Sequence, residues 1–333
     1  MERPAGETPG VAHGEFALIA RHFTRPARDR SVVVGVGDDA AVVAPSPGCE
    51  LVLAVDMMVE GRHFLPGADP ETLGHKILAV NLSDMAAMGA RPRWATLAMA
   101  LPAADEAWIA AVACGVFACA DEFGVDLIGG DTTRGPRAFC VTILGEVPSG
   151  QALRRDGAKA GDSIWMSGKP GRAALGLAHL QGRTRLDAAQ LTECLAALHR
   201  PQPRVALGVA LRGLATAAID VSDGLLADLG HILEQGAVAA RLRIPDLPAA
   251  GLERDCLLAG GDDYELLFTA AAASDAEIAA LAAELRLPLT RVGEIVSGAS
   301  GELVLVDADG KDITPARRGF DHFLSPPEAG TVS

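Results

Sequence analysis

A chain of 333 residues, 49% of them hydrophobic, is longer than most single domains and carries apolar surface for two cores. Forty-three Asp and Glu against 29 Lys and Arg give a net charge of −14, with the basic residues scattered rather than striped, which excludes nucleic acid as a partner. Six cysteines without a Cys-x-x-Cys pair exclude a disulfide frame or zinc site and predict buried, reduced thiols in a cytoplasmic protein, and the longest apolar run, "WIAAVACGVFACA", is too short to span a membrane.

Residues 1–13 and 325–333 are rich in Pro, Gly and small polar residues and are expected to be disordered. An N-terminal domain over 14–150 opens with the strand "SVVVGVG", which runs into Gly35-Val36-Gly37-Asp38-Asp39-Ala40. That spacing approaches a dinucleotide-binding fingerprint, but two carboxylates repel a pyrophosphate and the prolines of "AAVVAPSPG" prevent the helix such a site needs. The Asp38-Asp39 pair therefore either holds a cation or makes a turn. Strands follow at "ELVLAVD", "WATLAMALP", "VDLIGGD" and "FCVTILGEV", interleaved with helices at "ETLGHKILAVNLSDMAAMG" and "DEAWIAAVACGVFACADEFG". This is an α/β arrangement. The turn-rich "SGQALRRDGAKAGD" marks a boundary, after which a C-terminal α/β domain over 151–324 has strands at "SIWMSG", "AAID", "ARLRI", "YELLFTA" and "ELVLVDADG". Its helices are expected near 171–181, 203–215, 223–235 and 275–285. The two domains are expected to end key strands alike, "DLIGGDTT" and "LLAGGDDYE", an echo too short to establish a repeat.

Acidic residues recur after apolar strands: Asp38 and Asp39, Asp56, Asp131, Asp220 and Asp223, Asp262 and Asp263. One such site is ordinary turn chemistry, whereas five together suggest carboxylates converging on cations, and oxygen ligands without neighbouring His or Cys suit Mg²⁺. Asp220 or Ser222 has a second reading as the N-cap of the helix in "DVSDGLLADLGHILEQ". Asn81 and Asp84 share one face of a mostly apolar helix, where a carboxylate needs a partner: a cation, Lys76 or an arginine. Gly168-Lys169 resembles the end of a P-loop, but Ser163 stands where glycine is required and Pro170 where Ser or Thr would bind Mg²⁺. No His-x-x-x-His helix or Gly-x-Ser-x-Gly elbow occurs, and His63 reads as loop structure unless a ligand reaches it.

Taken in order, "GVGDDAAVV", "VDMMVEGRHF", "KILAVNLSDMAAMGARP", "LIGGDTTRGP", "RRDGAKAGD", "AIDVSDGLLADLGHI" and "GGDDYELLF" resemble the motifs of the thiamine-monophosphate kinases, over nearly the whole chain from Gly14 to Phe323. The resemblance implies ATP-dependent phosphorylation of thiamine monophosphate to thiamine diphosphate. It also implies the two-domain α/β (α+β) fold shared with aminoimidazole ribonucleotide synthetase, with N-terminal sheets pairing across a homodimer. Carried over position by position, it makes Asp39, Asp56, Asp84, Asp131, Asp220 and Asp223 magnesium ligands. Gly130, Asp131, Arg155 and Ser222 become ATP contacts, and His63, Asp262 and Phe320 substrate contacts, with Phe320 or Tyr264 as an aromatic wall for the thiazolium. Two departures stand out: Ala54-Val55-Asp56 replaces the usual Ser-Thr-Asp, removing any hydroxyl ligand there, and Asp262 replaces a frequent Glu. The rivals are a superfamily enzyme with another phosphoryl acceptor and a nucleotide-binding dimer without turnover. No cysteine precedes Cys49, which argues against a selenophosphate synthetase.

Overall fold

The computed structural model describes residues 15–28 and 30–320, so the segments expected to be disordered, 1–13 and 325–333, lie outside the described residues. The first elements are α1 (Glu15–His22), β1 (Val32–Val34), β2 (Val42–Val43), β3 (Cys49–Val59), α2 (Pro70–Ala87), β4 (Arg91–Leu101), α3 (Glu106–Phe123), β5 (Asp126–Arg134) and β6 (Ala138–Pro148). A β7 (Asp162–Ser167), α4 (Arg172–Leu180), α5 (Ala188–His199), α6 (Val205–Ala210), β8 (Ala215–Val221) and α7 (Leu225–Gly236) follow. The last are β9 (Ala239–Leu242), α8 (Leu252–Ala259), β10 (Glu265–Ala271), α9 (Asp275–Leu285), β11 (Leu289–Val296) and β12 (Leu303–Leu305). None of the described helices is long and apolar enough to cross a membrane.

Two sheets dominate. One has four strands in the order β3-β6-β4-β5, with β4 and β5 parallel and joined through α3, a βαβ crossover. Helix α3 starts where Asp105 accepts the Trp108 amide and stops at Gly124 in the left-handed conformation. The other sheet has six strands in the order β12-β9-β11-β7-β10-β8. Its central strands are buried on both faces, which is why "SIWMS" and "ELLFTA" read as unbroken apolar runs. Ile164, Met166 and Leu267 pack with Leu225, Leu226, Leu229, Ile232 and Leu233 of α7, while Trp165, Leu266 and Phe268 pack with Leu207, Leu211, Ile278 and Leu281. The strand period of two separates these cores cleanly.

By their contacts the described residues divide into one compact unit drawn from 15–46, 55–78 and 93–143, and a second drawn from 47–54, 79–92 and 144–320. Within the first, α2 and α3 touch backbone to backbone: a Cβ on Gly115 would lie 1.9 Å from the Glu71 carbonyl oxygen, and one on Gly74 2.1 Å from that of Val112. Only hydrogen fits at either position.

Several expectations need correction. Helices α5 and α8 and strand β11 fall where no element is expected, and α6 ends at Ala210 rather than near 215 because β8 begins there. The short β2 also escapes the reading; it pairs with β1, so a strand and not a helix follows the Asp38-Asp39 turn. The Gly-Gly-Asp echo is not a shared strand end: "LIGGD" lies inside β5, whereas "LAGGDD" links α8 to β10. Asp56, Asp131 and Asp220 likewise sit within strands, not after them. Cys119, Cys194 and Cys256 are buried, but Cys114 is exposed and Cys49 and Cys140 are half-buried.

Candidate active site

In the first unit, Asp38 makes a local turn by accepting the Asp39 amide at 2.9 Å, which leaves Asp39 exposed beyond β1. Asp56 is half-buried on β3, whose alternation sends Leu51, Leu53, Val55 and Met57 to an exposed face, 42–61% accessible. Val55 therefore points away from Asp56, and of the two departures in Ala54-Val55 only Ala54 lies on the Asp56 face. Gly130 and Asp131 are exposed on β5 opposite Leu97 and Ala98 of β4. A Cβ on Gly130, where φ is +154°, would lie 1.9 Å from the Leu97 carbonyl oxygen, so a side chain there would drive β5 off β4 and displace Asp131.

His63 closes a tight turn after β3. Its Nδ1 accepts the Val59 amide at 2.9 Å, which assigns the proton of the neutral ring to Nε2. Arg137 clamps the same turn by an ion pair to Glu60 and by its carbonyl, which accepts the Glu60 amide at 3.1 Å. The guanidinium lies 4.5 Å from the centre of the Trp108 ring, which stacks on Phe139, and Phe64 packs on Phe139 at 6.0 Å. This aromatic support fixes the loop carrying His63.

In the second unit, Asp220 at the end of β8 is 6% exposed. Burial pushes its carboxyl above the ordinary range, the Ser83 hydroxyl and the exposed Arg155 pull it back, and Asp223 pushes it up again. Ser83 approaches without a hydrogen bond of regular geometry, since its Oγ is otherwise unpartnered. Asp84 follows Ser83 on α2 and is half-buried. The structure thus brings Asp220, Asp223, Arg155 and the Ser83 turn of α2 together.

Neither Asp220 nor Ser222 caps the helix: the N-cap of α7 is Gly224 and no side chain caps it there. Instead the Ser222, Asp223 and Gly224 amides all donate to Oδ2 of Asp228, each at 3.1 Å. Burial, with Asp220 and Asp223 nearby, pushes the Asp228 carboxyl up to about 7. The sequence reading missed this residue, though a signal existed: Asp228 falls on the apolar stripe of Leu225, Leu229 and Ile232, where a carboxylate needs a reason to be.

Two of the substrate candidates, Asp262 and Phe320, and the alternative aromatic Tyr264 rest on the 221–223 backbone. Asp262 donates its amide to the Ser222 carbonyl at 2.8 Å, Tyr264 to that of Val221 at 2.8 Å, and Phe320 to that of Asp223 at 2.9 Å. Asp262 and Tyr264 are both left-handed, with φ of 75° and 52°, a conformation non-glycine residues hold only where neighbours enforce it. Asp263 between them is buried and turned inward, accepting the Gly171 amide at 2.7 Å and the Ala173 amide at 3.4 Å. The P-loop-like "GKPG" therefore spends its helix-start donors on a carboxylate of its own chain. Glu265, equally overlooked, is buried and forms a two-pronged ion pair with Arg204 at 2.5 and 2.6 Å, while its Oε2 also accepts from Ser167.

Among the described residues no three His, Cys, Asp or Glu side chains gather by themselves into a metal site. The donor set nevertheless suits a hard divalent cation: burial first and the nearby Asp223 second drive Asp220 toward protonation, burial with Asp220 and Asp223 does the same to Asp228, and a cation on Asp220 and Asp223 would relieve both.

Two family models match, "AIR synthase related protein, N-terminal domain" over residues 37–147 and "AIR synthase related protein, C-terminal domain" over 159–306. The thiamine-monophosphate kinase of Salmonella typhimurium is 43% identical over 327 residues, 95% of this chain and 100% of that protein. The crystal structure of thiamine-monophosphate kinase from Stenotrophomonas maltophilia superposes with a TM-score of 0.80 at 47% identity, covering 90% of this chain and 97% of that one. AaThiL complexed with AMPPCP and TMP gives 0.72 at 26% identity, covering 96% and 100%.

Proposed function

The chain belongs to the thiamine-monophosphate kinase family, and from that premise we infer that it phosphorylates thiamine monophosphate with ATP, giving thiamine diphosphate for thiamine biosynthesis. The observation that carries the reading is the match to a kinase relative along that protein's whole length, joined to a neighbour of the same fold that holds AMPPCP and TMP.

The site assignments follow as proposals. Asp39, Asp56 and Asp131 of the first unit and Asp84, Asp220 and Asp223 of the second would hold Mg²⁺, which supplies charge neutralisation for the phosphates when bound. Gly130, Asp131, Arg155 and Ser222 are assigned to ATP: Gly130 keeps β5 close on β4 and so holds Asp131 in place, and Arg155 brings positive charge to an acidic loop. His63, Asp262 and Phe320 are assigned to the thiamine substrate. His63 would offer an Nε2–H donor, because its Nδ1 is occupied by the Val59 amide. Phe320, 45% exposed, offers a ring face to a cationic heterocycle.

The acceptor oxygen belongs to a phosphate monoester, whose second pKa of about 6 leaves it mostly dianionic at neutral pH, so no general base is needed. No activated protein nucleophile is needed either, and transfer is direct and in line. Purified protein incubated with ATP, Mg²⁺ and thiamine monophosphate should yield thiamine diphosphate on chromatography; nucleotide binding without product would refute the reading. Direct transfer should invert a chirally labelled γ-phosphorus, and net retention would refute that route.

The protein is further proposed to act in the cytoplasm as a homodimer, with its domain division near residue 150. The support for a dimer is the apolar row Leu51, Leu53, Val55 and Met57 on β3, which ends the four-stranded sheet.

A further inference from the structure

Every backbone group of the loop from Ser222 to Gly224 has a defined direction. The three amides turn inward to one oxygen of Asp228, which is 3% exposed. The carbonyls of Ser222 and Asp223 turn outward and receive the amides of Asp262 and Phe320. Helix capping accounts for only one of the amide bonds, that of the N-cap Gly224; Ser222 and Asp223 lie outside the helix. A single buried carboxylate on α7 therefore sets the path of the segment bearing Asp220 and Asp223 and the seats on which Asp262 and Phe320 rest.

We propose that Asp228 is a positioning residue: it holds the 220–224 loop in the one arrangement that presents Asp220 and Asp223 to metal and, through the loop carbonyls, aligns the substrate residues Asp262 and Phe320. The proposal rests on the assignment of Asp220 and Asp223 as metal ligands. Residues that orient ligands from behind typically alter metal affinity by roughly 10- to 100-fold when changed.

The test uses the full-length protein and Mn²⁺ alone as the probe, titrated by electron paramagnetic resonance, for the wild type, Asp228→Asn and Asp220→Asn. Asp228→Asn keeps the shape and one acceptor oxygen but exchanges the other for an NH₂ donor beside the three loop amides. It should retain the wild-type circular dichroism spectrum while Mn²⁺ affinity falls about tenfold or more and KM for thiamine monophosphate rises. A folded Asp228→Asn with wild-type Mn²⁺ affinity and KM, beside an Asp220→Asn that binds Mn²⁺ poorly, overturns the positioning role and leaves the ligand assignment standing. An Asp220→Asn that binds Mn²⁺ normally overturns the ligand assignment, and the positioning role with it. Should Asp228→Asn fail to fold, hydrogen exchange on the wild type decides: the Ser222, Asp223 and Gly224 amides should be protected like those in the middle of α7, and fast exchange there refutes the proposal.

Discussion

Replacing Gly115 with alanine puts the α2–α3 contact to a test of sign. Alanine is the better helix former by about 1 kcal/mol in a helix interior, so with room for its methyl the substitution should stabilise the protein. The structure leaves no room. The new Cβ would stand 1.9 Å from the Glu71 carbonyl oxygen and 2.8 Å from the His75 nitrogen, all of them atoms of the facing backbone. Carbon–oxygen contacts of this kind settle at roughly 3.3 Å or more, so the helices would have to part by about 1.4 Å. Overpacking on that scale costs about 1–3 kcal/mol, which exceeds the propensity gain and leaves a net loss of up to about 2 kcal/mol. Gly230 supplies the control, because it lies within α7 and a Cβ there meets nothing within 4 Å. Urea unfolding followed by circular dichroism and tryptophan fluorescence should lower the midpoint for Gly115→Ala and raise it for Gly230→Ala, with unchanged slopes. A Gly115→Ala protein as stable as the wild type, or more so, would refute the backbone-to-backbone packing of α2 on α3.

Asn at Asp39 or Asp220 should abolish product formation with the circular dichroism spectrum unchanged, and full activity at saturating Mg²⁺ in either variant would remove that residue from the metal set. Light scattering should return about twice 34.3 kDa for the wild type and near 34.3 kDa for Leu53→Lys, which places a charge in the exposed row of β3; a monomeric wild type counts against the dimer. Burial holds the Asp263 carboxyl well above its ordinary value, so this group takes up a proton on folding. Its contribution to stability should therefore decline as pH rises from about 4 toward the raised value, and Asp263→Asn should flatten that part of the stability profile. An unaltered profile would show Asp263 to be ionised in the folded state.

The elements legible from the sequence are those whose pattern is local. Helices α2, α3, α7 and α9 and most strands carry their own periodicity, and "GVGDD", "LIGGD" and "DVSDG" mark themselves by carboxylates set in apolar surroundings. Helix α5 had a readable start, the capping box of Asp187 and Gln190, but weak amphipathicity behind it. Strand β11 hides because "LTRVGEIV" mixes charge and glycine in a half-exposed element. The position of Asp228 on an apolar stripe flags it in the sequence, but neither its role nor the Arg204–Glu265 pair is legible there. Their meaning depends on which backbone amides or distant side chains face them, and Arg204 and Glu265 are 61 positions apart.

In the six-stranded sheet no two strands that are consecutive in the chain lie side by side. Hairpins therefore cannot seed it, and each pairing must close a long loop first. A chain emerging from the ribosome can pair β7 and β8 with β10 only after about residue 271, and β7 gains its other neighbour only when β11 is complete at Val296. Until then the apolar "SIWMS" segment is without its full cover. Slow, vectorially late closure is built into this topology. Truncations before residue 289 should leave a protein that aggregates rather than a smaller folded one.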